Sequence, residues 1–115
     1  MVKFRKQDYI PEKGDIVWLN FDPQIGREQR GHRPALILTS RRYNQFGMCL
    51  ACPITSKPKG QPFEVTIVIR DVKGSILVNH IKTQDWEGRK VKFIGKAGSD
   101  ILKQVKQKLL FMLEV

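Results

Sequence analysis

Two short stretches of this chain hold most of the side chains that could carry chemistry. The first, Asp22 to Pro34, reads DPQIGREQRGHRP. It supplies a carboxylate at Glu28, an imidazole at His32, and guanidinium groups at Arg27, Arg30 and Arg33. Gly26 and Gly31 in the same stretch permit tight backbone approach. The second begins PITSKPK at Pro53 and adds the hydroxyls of Thr55 and Ser56 and the ammonium groups of Lys57 and Lys59. A base, fixed cations and hydroxyl donors are what a phosphodiester needs when an RNA 2′-hydroxyl attacks its own phosphorus: one group takes the proton, others stabilise the pentacoordinate charge. Glu28 suits the base, Arg33 a bidentate clamp on the phosphoryl oxygens, and Thr55, with Ser56, a donor to the transition state. DNA, lacking the 2′-hydroxyl, would be rejected by this chemistry. On residue types alone, Glu28 among arginines reads more readily as a surface salt-bridge partner than as a catalytic base.

Charge supports a polyanionic partner. The 115-residue chain carries a formal net charge of +10. Between Gln24 and Gly60 there are seven basic residues and one acid, Glu28. Nucleic acid fits this imbalance because phosphate contacts supply much of the affinity in such complexes; an acidic protein fits it too. Other chemistries find less support. The acids Asp15, Asp22, Asp71 and Asp85 are scattered, with no carboxylate pair at ligand spacing, so no metal or other cofactor is expected. Cys49 and Cys52 form a C-x-x-C within a strand-like run. Residues three apart on a strand face opposite ways, which makes them structural thiols. No serine-hydrolase elbow is present.

The elements that must position these groups read as mainly β. Strands are expected over Asp15–Phe21, Ala35–Ser40, Met48–Pro53, Phe63–Ile69, Ser75–Ile81 and Val91–Lys96, punctuated by Gly and Pro turns. Short strands of this kind indicate a sandwich or barrel. From Ser99 the pattern changes: Ile101, Leu102, Val105, Leu109, Met112 and Leu113 recur at helical spacing, predicting an amphipathic C-terminal helix capped by Ser99. The connections Asp22–Pro34 and Thr55–Pro62 are long for so small a domain, and long loops are commonly functional. One domain over residues 1–115 is expected, with residues 1–10 a basic, flexible N-terminus. Neither a signal peptide nor a membrane span is evident, so a cytoplasmic location is expected.

The ordered runs Gly14-Asp15-Ile16-Val17-Trp18, Phe21-Asp22-Pro23, Gly26-Arg27-Glu28-Gln29, Gly31-His32-Arg33-Pro34-Ala35-Leu36, Tyr43-Asn44, Gly47-Met48-Cys49-Leu50, Pro53-Ile54-Thr55-Ser56 and Pro62-Phe63-Glu64-Val65 resemble the MazF/PemK/Kid toxin family, and its MazF branch above all. The resemblance implies an SH3-like barrel of the PemK/CcdB kind and a homodimer. It implies metal-independent, sequence-specific cleavage of single-stranded RNA to 2′,3′-cyclic phosphate and 5′-hydroxyl ends, and inhibition by an acidic antitoxin. Its functional positions match Glu28, Arg33 and Thr55. RNA contacts are expected from Arg27, Gln29, His32, Ser56, Lys57, Lys59, His80 and Lys82. Kid-type members place a catalytic Arg and Asp in the fifth strand, at positions that align with Leu77 and Asn79, so that mechanism does not carry over. MazF relatives typically have Gln where His80 stands. Two readings of other classes share the barrel: a gyrase-poisoning toxin of the CcdB kind, which acts mainly through its C-terminal end, and a non-catalytic RNA-binding module.

Overall fold

The computed structural model describes residues 9–21, 32–88 and 91–114. Among the described residues, seven strands and two helices follow in the order β1 (Asp15–Asn20), β2 (His32–Ile37), α1 (Arg41–Asn44), β3 (Met48–Thr55), β4 (Glu64–Ile69), β5 (Val72–Leu77), β6 (Lys82–Asp85), β7 (Lys92–Lys96) and α2 (Ser99–Glu114), with a 3-10 turn over Val78–His80 before β6. All pairings are antiparallel, and the strands run β4-β5-β3-β2-β1-β7, with β6 joining β3. The result is a curled half-barrel closed by the C-terminal helix, in agreement with the small-barrel expectation.

The curl comes from β3, which serves two partners on one edge. Its first half pairs with β6, from Met48↔Asp85 to Ala51↔Lys82. Its last residues pair with β5, at Ile54↔Ile76 and Thr55↔Ser75. The β1–β2–β3 layer is buried on both faces, as its alternation dictates. Ile16, Leu36, Cys52 and Ile54 point to a core shared with Val65, Ile67, Val72, Ile76, Val78 and Val105. Val17, Leu19, Ala35, Ile37, Cys49 and Ala51 point the other way, around Trp86. The two cysteines therefore fall in different cores, free and fully buried. Burial pushes both thiols up to about 12, with Asp85 adding to the effect at Cys49.

Several boundaries differ from the sequence reading. β2 starts at His32, three residues before the expected Ala35, so His32 and Arg33 are strand residues, not loop residues. Thr55 likewise ends β3 instead of opening the following loop. The expected strand Ser75–Ile81 is instead β5 from Val72, followed by the 3-10 turn, and β6 was not expected at all. Lys82, Thr83 and Asp85 are exposed, and a short polar edge strand gives little hydrophobic periodicity to read. In α2, Ile101, Leu102, Leu109 and Met112 pack on the first core beside buried Val105, but Leu113 is 80% exposed. Ser99 is the first helical residue, and the first intrahelical bonds run from the Ile101 and Leu102 N–H groups to Gly98 O, so the cap lies one residue earlier. Tyr9 and Ile10, from the stretch read as flexible, pack against the second core. The Tyr9 hydroxyl donates to the buried Asp15 carboxylate, which also pairs with Lys96 Nζ at 2.5 Å.

Candidate active site

The candidate site begins where two strands part. The β2–β3 register runs Ile37↔Ala51, Leu36↔Cys52, Ala35↔Pro53 and stops there. Two more steps would set Arg33 opposite Thr55. The stop has a chemical cause: Pro34 and Pro53 have no N–H to give the ladder. β2 instead stays with β1, through Leu19↔Arg33 and Asn20↔His32, while the end of β3 turns to β5. The wedge between them is an open cleft of about 490 Å³. One wall carries Trp18, His32, Arg33 and Pro34, the opposite wall Ile54, Thr55, Ser56 and Lys57, and the β4–β5 hairpin closes one side with Asp71, Val72 and Lys73.

Local contacts hold the walls in place. The Trp18 indole and the His32 imidazole stack with ring centroids 5.4 Å apart and planes 14° from parallel. Thr55 Oγ1 accepts from the Lys57 backbone N–H at 3.1 Å, a local turn that keeps the hydroxyl at the lip of the cleft. On the far side of Thr55, β5 approaches unusually closely. A Cβ at Gly74 would lie 2.0 Å from the Thr55 carbonyl oxygen and 3.2 Å from the Ser56 Cα. Only glycine allows β5 to sit against the end of β3 in this way.

Of the expected site residues, the cleft gathers His32, Arg33, Thr55, Ser56 and Lys57. Arg27, Glu28 and Gln29 lie outside the described residues. Lys59, His80 and Lys82 do not line this cleft. Lys59 belongs to the loop beyond it, where its backbone N–H and that of Gly60 donate to the Glu64 carboxylate at 3.0–3.2 Å. His80 ends the exposed 3-10 turn, and Lys82 starts β6. Sequence reasoning missed Trp18, Asp71 and Lys73 as cleft residues. Trp18 read only as a strand aromatic, and the other two gain meaning from a hairpin turn that no local pattern flagged. Among the described residues, no group of three or more His, Cys, Asp or Glu side chains converges to hold a metal. Chemically the cleft combines three cations, the hydroxyls of Thr55 and Ser56, one carboxylate and an aromatic pair, a set able to hold a nucleic-acid backbone with its bases stacked alongside.

Residues 12–113 match the model of the PemK-like, MazF-like toxins of type II toxin–antitoxin systems. The chain belongs to this family. Among its relatives, the endoribonuclease toxin MazF of Escherichia coli K12 is 39% identical over 102 residues, covering 88% of this chain and 92% of that protein. The endoribonuclease toxin ChpB of the same strain is 37% identical over 109 residues, covering 90% and 94%. A crystal structure of MazF from Deinococcus radiodurans superimposes with a TM-score of 0.85 at 44% identity, covering 94% of this chain and all of that one. A MazE–MazF crystal structure from the same organism gives 0.82 at 40% identity, covering 94% and 99%. Family membership thus confirms the resemblance read from the motifs and accounts for the half-barrel and terminal helix.

Proposed function

We propose that this family member is the toxin of a type II toxin–antitoxin pair, an endoribonuclease that cleaves single-stranded messenger RNA at specific sequences and so arrests translation and growth. The observation that carries the chemistry is the β2–β3 wedge, which gathers Arg33 and Thr55 around one cleft with Lys57 and Lys73 beside them. A phosphodiester seated there meets a guanidinium able to clamp its non-bridging oxygens in bidentate fashion and a hydroxyl able to donate to the charge that develops on them.

In the proposed reaction Glu28 removes the 2′-hydroxyl proton, and the 2′-oxygen bonds to phosphorus as the P–O5′ bond breaks. The 5′-oxygen leaves as an alcohol, protonated from solvent in this open cleft. The products are a 2′,3′-cyclic phosphate and a 5′-hydroxyl. Side chains take the 2′-hydroxyl proton and meet the charge on the phosphoryl oxygens, and solvent protonates the leaving oxygen, so the proposed scheme calls for no metal. Specificity is read by cleft and loop side chains, drawn from Arg27, Gln29, His32, Ser56, Lys57, Lys59, His80 and Lys82. The basic cleft also suits an acidic antitoxin segment, and relatives crystallised as MazE–MazF complexes support such a partner. The functional unit is a homodimer in the cytoplasm; no helix among the described residues is long and apolar enough to cross a membrane. The test is incubation of the purified protein with a long RNA in EDTA, with both fragment ends mapped. Discrete cuts bearing cyclic phosphate and 5′-hydroxyl ends are expected; intact RNA would overturn the reading.

A further inference from the structure

The cations of the cleft account for phosphate, but its acid does not. Among the described residues lining the cleft, Asp71 is the carboxylate, set among Arg33, Lys57 and Lys73. It is exposed and makes no hydrogen bond or ion pair among the described residues. A carboxylate in a groove for RNA repels the phosphates, so it weakens backbone binding. What it offers instead is a pair of acceptor oxygens for the N–H groups of bases. Lysine and arginine contacts to phosphate are the same for every sequence; base-edge hydrogen bonds are not.

The backbone fixes where this carboxylate can reach. Asp71 is the second residue of a two-residue turn closed by the Ile69↔Val72 pair, and Arg70 before it takes a left-handed φ of 50°. Three residues after the turn, Gly74 lies against the carbonyl of Thr55. The hairpin cannot slide along β3 without a clash, so Asp71 keeps a set offset from the Thr55 hydroxyl. Across the cleft, the stacked Trp18–His32 pair presents an aromatic face on which a base can lie.

The geometry points to Asp71 as a base-reading residue. It accepts from the amino edge of adenine, cytosine or guanine at one nucleotide near the cut, and it rejects uracil, whose pairing edge sets a single N–H between two carbonyl oxygens that repel the carboxylate. This assignment rests on the endoribonuclease reading above.

The experiment compares the wild type with Asp71→Ala, Asp71→Asn and Lys73→Ala on one long RNA, mapping every cut and its relative rate. In Asp71→Ala, discrimination against uracil is expected to fall about tenfold at a single position relative to the cut. Asp71→Asn, whose amide offers both a carbonyl acceptor and an N–H donor, is expected to admit uracil there. Lys73→Ala is expected to slow all sites alike. If the wild type leaves RNA uncut, both the nuclease reading and this assignment fall. If the wild type cuts but Asp71→Ala keeps the same sites in the same order of rates, or slows all of them equally, the assignment falls alone.

Discussion

In the proposed reaction Arg33, Thr55 and Glu28 have separable roles, and each has its own variant. Removing a single preorganised donor to a developing oxyanion commonly costs about 10²–10³ in rate. Arg33→Ala is expected to lose at least that much cleavage, and Arg33→Lys to recover little, because an ammonium cannot make the bidentate clamp. Thr55→Ser should keep most activity and Thr55→Val little, since Val matches the shape without the hydroxyl that also anchors the Lys57 turn. Single-turnover rates on one RNA check these. Glu28→Gln should abolish the pH dependence that a general base confers; a variant with the wild-type profile would remove Glu28 from that role. The buried thiols set a limit at the alkaline end. Cys49 and Cys52 are pushed up to about 12 in the fold, chiefly by desolvation, and burial and the Asp15 carboxylate push Tyr9 in the same direction. A group with a raised folded-state value stabilises fully below its unfolded value and loses that contribution as pH rises toward the folded one. Between about pH 9 and 12, each buried thiol is therefore expected to remove about 1.4 kcal/mol of stability per pH unit. Denaturant melts across that range, with Cys49→Ser/Cys52→Ser as control, measure it.

At the scale of elements, the decisive feature is that β3 is divided between β5, β6 and β2. The divergence of β2 from β3 makes the cleft, and the contact of β5 with Thr55 fixes one wall. Gly74→Ala would place a methyl 2.0 Å from the Thr55 carbonyl oxygen. Overpacking of this kind typically costs about 1–3 kcal/mol. The variant should melt earlier and lose cleavage out of proportion to the fraction unfolded, because Thr55 must shift for the strands to separate. A Gly74→Ala protein that melts and cuts like the wild type would show that the contact does not position the site.

Across the whole molecule, the proposed RNA substrate would meet a chain of net charge +10, and that charge would govern encounter. Binding to single strands should weaken with salt at a slope of about −0.7 per phosphate contacted. Three phosphates on Arg33, Lys57 and Lys73 would give about −2, and Lys73→Ala should reduce the slope by about 0.7. A titration with a non-cleavable 2′-deoxy oligonucleotide at several salt concentrations measures both. Leu110, Phe111 and Leu113 remain 49–80% exposed on α2, and one chain weighs 13.3 kDa. Light scattering is expected to report twice that mass, the proposed homodimer; a monomer would count against it.

Much of this protein is written locally. Alternation of β-branched residues with turn signals marks most of the strands, the 3.6-residue repeat marks α2, and the order of short motifs marks the family. The opposite facing of Cys49 and Cys52 also follows from strand geometry alone. What the tertiary structure decided was juxtaposition. Whether His32 and Arg33 belong to a loop or a strand depends on β1 pairing with them across Asn20 and Leu19, a contact with no local signal. That Asp71 and Lys73 face the same cleft as Arg33 depends on β5 finding the end of β3 through Gly74. Side-chain chemistry is a property of each residue, but a site is a property of which strands pair and where they stop, and that is set by non-local hydrogen bonding and packing.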